Sequence, residues 1–142
     1  MTPIEFIAQG MAIVVALSMG RHDSTAIKVF HEKGWAGKKE NRWYHQTNNL
    51  TKFLFVVILA ISAAPDKQAM VFVGITSGLW IYLYFDIATG AWGHAKDPFY
   101  LGQNDDNGNW WRKTFGKDAG KIKAGILFLI ILGLNLTKAF VI

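Results

Sequence analysis

The apolar run at residues 69–85 limits this chain most, because only Thr76, Ser77, Gly74 and Gly78 interrupt it. Such a run reads as a helix buried in lipid or among other helices. Gly74 and Gly78 stand four apart with Thr76 and Ser77 beside them, so one face is nearly flat and open to a neighbouring backbone. Beyond it come Trp80, Tyr82, Tyr84, Asp86 and Trp92. These are the amphipathic aromatics and first carboxylate expected where a helix leaves hydrocarbon for headgroups.

The rest of the chain agrees with a membrane setting. Hydrophobic residues make up 51% and charged residues only 18%, against roughly 25% in average soluble domains. There is no cysteine, which removes disulfides, thiolate metal sites and cysteine nucleophiles together. A net charge of +5 is compatible with nucleic acid, an anionic membrane or plain topology signalling, and the placement of the cations separates these.

Pro3 precedes an apolar run at 4–19 whose Ala12, Ala16 and Gly20 recur every fourth residue, a second small-residue face suited to meet Gly74 and Gly78. Glu5 before the run and Gly20-Arg21-His22 after it do not fit a cleaved secretory signal, so the segment is expected to be retained. Residues 50–64 form a shorter run with Lys52 near its start, followed by the Pro65-Asp66-Lys67 turn. The last run, 122–142, contains Asn135, a residue type that joins helices by hydrogen bonding in such surroundings, and Lys138, placed to snorkel outwards. The expectation is an all-α polytopic membrane protein forming a single domain over 1–142. It has four transmembrane helices at about 4–19, 50–64, 69–89 and 122–142, and two basic loops, 20–49 and 90–121, on one side.

Loop 20–49 carries six cations, Arg21, Lys28, Lys33, Lys38, Lys39 and Arg42, and the segment from residue 90 to Lys123 carries Lys96, Arg112, Lys113, Lys117, Lys121 and Lys123. The 65–67 turn carries one. Positive-inside bias therefore places both loops in the cytoplasm, or the equivalent interior, with the termini and Pro65 outside. Within the first loop a short surface helix is expected from Asp23 or Ser24 to Gly34. Trp35, Trp43 and Tyr44 alternate there with Lys38, Lys39 and Arg42. In the second, the run of turn formers GQNDDNGNWW, 102–111, leads into Trp110-Trp111-Arg112-Lys113. Both aromatic-basic clusters suit anionic lipid headgroups. The same pattern also suits stacked bases and phosphates, but beside membrane spans nucleic acid is the less favoured partner.

The residues offer little for catalysis. His31-Glu32 lacks the second histidine of a zinc protease, since Trp35 stands at that position. A calcium-loop alignment on Gly108 puts Thr114 where a bidentate Glu is needed. There is no glycine-rich phosphate cradle and no carboxylate at the middle of a span. Neither an enzyme, a metal site nor a cofactor is expected. Glu5 and Asp86 lie at span ends and read as solvated caps, leaving Thr76, Ser77 and Asn135 to join helices or to line a pore.

The spacing Phe85-Asp86, Gly90, Phe99-Tyr100-Leu101-Gly102 and Trp110-Trp111-Arg112 before a final span resembles small multi-span membrane proteins of bacteriophages and prophages, over residues 80–142. The resemblance implies a membrane protein of the infected cell, in the bacterial inner membrane, or a component of the internal membrane of a lipid-containing virion. The expected role is structural: assembly with further copies, or with other membrane or capsid proteins, through Ala12, Ala16, Gly20, Gly74, Gly78 and Asn135. A pore-forming or holin-like channel is the alternative.

Overall fold

The computed structural model describes residues 1–34, 39–93, 96–101 and 106–140, and every regular element among them is helical. The first helix, α1 (Pro3–Glu32), begins with reciprocal capping: Thr2 Oγ1 accepts from the Glu5 backbone N–H at 3.2 Å, and the Glu5 carboxylate accepts from the Thr2 N–H at 2.7 Å. This is the Thr-x-x-Glu capping box, with Pro3 at the first helical position where its missing N–H costs nothing. Gly34, at φ +66°, follows the helix end in the left-handed conformation that suits glycine. No proline falls between Pro3 and Pro65, and α2 (Lys39–Ala63) stops just before the latter. Asp66 then caps α3 (Lys67–Trp92), its carboxylate accepting from the Ala69 N–H at 2.8 Å. A short helix, α4 (Asp106–Phe115), and a 3-10 turn (Gly116–Asp118) lead into α5 (Ala119–Phe140).

Cross-helix bonds fix the directions of the four long helices. Gln9 meets both Trp80 and Asn135, Asp23 meets Asn48, and Asp86 meets Lys123. The long helices therefore run up, down, up and down. Thr2, Asp66 and Phe140 share one end of the bundle, while the end of α1, the start of α2 and α4 share the other. The most extensive packing is between α1 and α3, which lie parallel, and α5 is attached mainly to α3 and α4.

The interior is rich in small residues: Ala8, Ala12 and Ala16 of α1 pack with Ala63 and with the larger Leu59, Val73 and Ile81. A second cluster joins Leu83 to Leu127 and Ile131. Large apolar side chains point outward instead, among them Phe6, Val14, Phe53, Ile61, Leu129 and Phe140, each more than 60% exposed. A water-soluble bundle does the reverse, burying its large hydrophobes to gain about 1.5–3 kcal/mol per side chain. Helices in lipid gain little that way and instead approach closely through small residues.

Three helices are long and apolar enough to cross a membrane: Pro3–Phe30, Lys67–Trp92 and Trp110–Phe140. The second of the four expected spans is not among them, because the first turns of α2, through Asn49, are polar. The 20–49 region is also not a loop over most of its length. α1 continues through it to Glu32 without the separate surface helix expected there, and α2 resumes at Lys39. Pairing between the two helices accounts for this. Asn48 donates to Asp23 at 3.1 Å, His22 lies 3.1 Å from the Tyr44 hydroxyl, and Phe30 meets the Tyr44 ring edge-on. In the second segment the turn-former run gives way to helix at Asp106, since Asn and Asp also favour helix starts.

Candidate functional site

Four charged side chains, one from each long helix and alternating in sign, follow one another across the α4 end of the bundle, and the last two pair where α3 and α5 meet. Asp23 of α1 is buried, held by Asn48 and with His45 Nδ1 at 3.9 Å. Lys52 of α2 lies within electrostatic reach of both Asp23 and Asp86, its ammonium 3.0 Å from the centroid of the Phe85 ring. Asp86 of α3 accepts a hydrogen bond from Lys123 of α5, whose ammonium also lies 4.2 Å from the Tyr82 ring centroid. The Lys123 side chain is 6% exposed and that of Asp86 33%. Asp86 is thus an ion-pair partner at a helix junction and not the solvated cap expected of it. Paired charge of this kind is what a low-dielectric interior tolerates.

Above the Asp86–Lys123 pair runs the segment 96–101, wedged between two glycines. A Cβ added at Gly90 would collide with the Asp97 carbonyl, and one at Gly120 with the Phe99 carbonyl. The segment enters at Lys96, at φ +49°. Asp97 then organises a turn: its carboxylate accepts from the Phe99 N–H at 2.9 Å and its carbonyl from the Tyr100 N–H at 3.0 Å. Arg112 of α4 donates to the Leu101 carbonyl. Pro98, Phe99, Tyr100 and Leu101 line one side of a small cleft whose other side includes Asp86 and Lys123. Phe85-Asp86, Gly90, 99–101 and Arg112, distant in sequence, therefore meet at one place. Gly102 lies outside the described residues.

The opposite end has its own polar junction. Gln9 and Asn135 exchange hydrogen bonds through their amides, at 2.9 and 3.2 Å, and the Trp80 indole N–H donates to the Gln9 oxygen at 2.8 Å. This ties α1, α3 and α5 together. Lys138 turns inward, 4.0 Å from the Glu5 carboxylate, with its side chain 13% exposed and that of Glu5 1%. The expectations of a solvated Glu5 and a snorkelling Lys138 are both corrected, because each supplies the other's counter-charge.

The remaining expected site residues are dispersed. Ala12 and Ala16 are buried in the α1–α3 seam, and Gly20 lies against Phe85 and Ala88. Gly74 faces Ala60 of α2 instead of α1, and Gly78 has no neighbour within 4 Å. The two small-residue faces therefore do not meet as expected: one helical position rotates a side chain by about 100°, which turns Gly74 away from the stripe of Val73, Thr76 and Trp80. Thr76 bonds back to the Phe72 carbonyl at 2.8 Å, and both Thr76 and Ser77 are buried within one chain. Trp43 is exposed on α2. Lys39 and Arg42 fall in the first turn of α2, and Trp35 and Lys38 lie outside the described residues. On α4, Trp110 is exposed, Trp111 stacks on Phe115 with centroids 5.4 Å apart, and Lys113 is exposed.

Beyond the spans, burial and the adjacent Asp23 carboxylate push the Tyr44 phenol from 10.0 up to about 12. The neutral phenol is the form the fold prefers, so this stabilisation is complete below pH 10 and fades as pH rises through 12. Subtracting the alkaline titration of a Tyr44→Phe variant from that of the parent should isolate a phenol ionising near 12. Asp23→Asn should lower that midpoint yet leave it above 10, because burial is the larger cause. A Tyr44 midpoint at 10 in the parent would remove the contact. Comparison with family models, curated proteins and solved structures returned no match.

Proposed function

We propose that this chain is a structural, assembly-type integral membrane protein whose four long helices all span the bilayer. The observation that carries the reading is the distribution of side-chain size: alanines are the commonest buried apolar residues, whereas large hydrophobes are exposed over the length of the bundle. Charge inside such a bundle is expensive, and here the buried charges near the helix junctions are paired with charges of opposite sign, as a lipid setting requires. α2 is the fourth span in this reading. It packs mainly on α3 and more lightly on α1, and its 25 residues give about 37 Å of helix. Its apolar part, 50–63, lies level with the alanine seam, with Leu59 and Ala63 packed against that core. The polar parts of α1 and α2 then project beyond the hydrocarbon as a paired hairpin.

The basic end, with Lys28, Lys33, Lys113 and Lys117 and the exposed aromatics Trp43 and Trp110, faces anionic headgroups on the cytoplasmic or interior side. The outward apolar surfaces are available for lipid, further copies, or other membrane or capsid proteins. Convergence of the residues that resemble phage proteins supports a bacterial inner membrane or an internal virion membrane as the location.

Single cysteines test the arrangement, since the chain has none of its own. Placed at Lys33, Lys113, Asp66 and Phe140 and labelled from one face of sealed vesicles, positions 33 and 113 should react together and 66 and 140 only from the other face. Equal access at 33 and 66 would eliminate the four-span arrangement.

A further inference from the structure

We propose that residues 97–101 form a strap that shields the Lys123 ammonium from water where it pairs with Asp86, and that Arg112 is the latch coupling this seal to α4. The inference rests on the membrane reading for its biological setting but not for its geometry. Three observations carry it. First, the strap is held by backbone approach: Gly90 and Gly120 each present no Cβ where the carbonyls of Asp97 and Phe99 sit. A close approach of this kind is specific to glycine and excludes water between strap and helices. Second, the strap is internally braced by the Asp97 turn, so it moves as a unit. Third, among the described residues α4 packs on α5 and the 3-10 turn but not on α1, α2 or α3, and its Arg112 holds the Leu101 carbonyl. Arg112 therefore gives α4 a hold on the strap in addition to the chain that joins them, so a displacement of α4 at the headgroup surface is transmitted to the strap.

The consequence is a hydration switch. With the strap closed, Lys123, its side chain 6% exposed, donates to Asp86 in a small cleft whose lining includes Leu83, Ile87 and Leu127. With it open, Lys123 also meets water and the pair weakens by screening and hydration, which frees the start of α5 from α3.

Acetylation by a water-soluble amine reagent in detergent micelles, read by peptide mass spectrometry on the full chain, tests the seal. Lys121, two residues before Lys123 and exposed, is the reference, and Lys138 at the far end reports the integrity of the bundle. In the parent, Lys123 should react about tenfold less than Lys121, as expected for a group reached only by local opening. Arg112→Gln, which adds no bulk, and Gly120→Ala, which displaces the Phe99 carbonyl, should each bring Lys123 towards the Lys121 rate while Lys138 stays protected. If Gly120→Ala also exposes Lys138, the fold has been lost and Arg112→Gln decides alone. The proposal is overturned if Lys123 reacts like Lys121 in the parent, or stays as protected in Arg112→Gln as in the parent. Because micelles have no sides, failure of the seal is distinguishable from failure of the four-span arrangement, which only vesicle labelling reads.

Discussion

Replacing Asp86 by leucine is expected to destabilise the bundle by about 3 kcal/mol or more, because it strands the Lys123 ammonium without its carboxylate. The mirror substitution, Lys123→Met, should cost less. The Asp86 side chain is one-third exposed, whereas that of Lys123 is 6% exposed, so an abandoned Asp86 recovers hydration that an abandoned Lys123 cannot. The double variant Asp86→Leu, Lys123→Met should regain much of the loss, since two apolar groups of similar volume replace two desolvated charges. A double-mutant cycle in mixed micelles, following reversible loss of helicity with rising anionic detergent, measures all three terms. Equal costs for the two single variants would show that burial does not differ between the partners. A coupling energy below about 0.5 kcal/mol would place the pair among surface ion pairs of little consequence.

This pair also shows where sequence reading reaches its limit. The apolar runs of α1, α3 and α5 are legible because each is long and broken by few polar residues. The helical state of 20–32 and 39–49 is harder to see. Polar composition suggests loop, yet these residues carry no proline, and their polar side chains satisfy one another across two helices: Asp23 with Asn48, His22 with Tyr44. The burial of Glu5 was signalled locally by Thr2 three residues earlier, a capping-box spacing. Its second partner, Lys138, was not, and neither was the Gln9–Asn135 exchange across a separation of 126 residues. Reading Glu5 and Asp86 as solvated caps followed from their position at span ends. That inference holds for an isolated helix and fails in a bundle, where a neighbouring cation supplies what water would. Gly90 and Gly120 likewise become meaningful only once 96–101 is seen lying between them.

Glycine content alone did not reveal which glycine the α1–α3 seam depends on, and two substitutions with opposite expected signs separate the candidates. Gly74 and Gly78 form the more recognisable pattern, but close approach depends on where two helices cross, and here they cross tightly at Gly20. A Cβ at Gly20 would stand 2.8 Å from the Phe85 carbonyl oxygen and nearer still to the Ala88 methyl. Both obstacles belong to α3 and neither is the end of a flexible side chain, so α1 must move away along its length. Gly20→Ala should therefore destabilise by about 1–3 kcal/mol, the range for overpacking a close-packed interior. Displacement at Gly20 should also loosen the Gln9–Trp80 hydrogen bond further down the same seam, changing the Trp80 environment in near-ultraviolet circular dichroism. Gly78 has open space around it, so Gly78→Ala should be neutral or stabilise by up to about 0.5–1 kcal/mol, because alanine restricts the unfolded backbone and favours helix. If Gly78→Ala instead leaves the monomer intact and reduces crosslinked oligomers in vesicles, the open face of Gly78 is a contact between copies. If Gly20→Ala is as harmless as Gly78→Ala, the close parallel crossing of α1 and α3 is wrong, and with it the alanine seam on which the membrane reading is built.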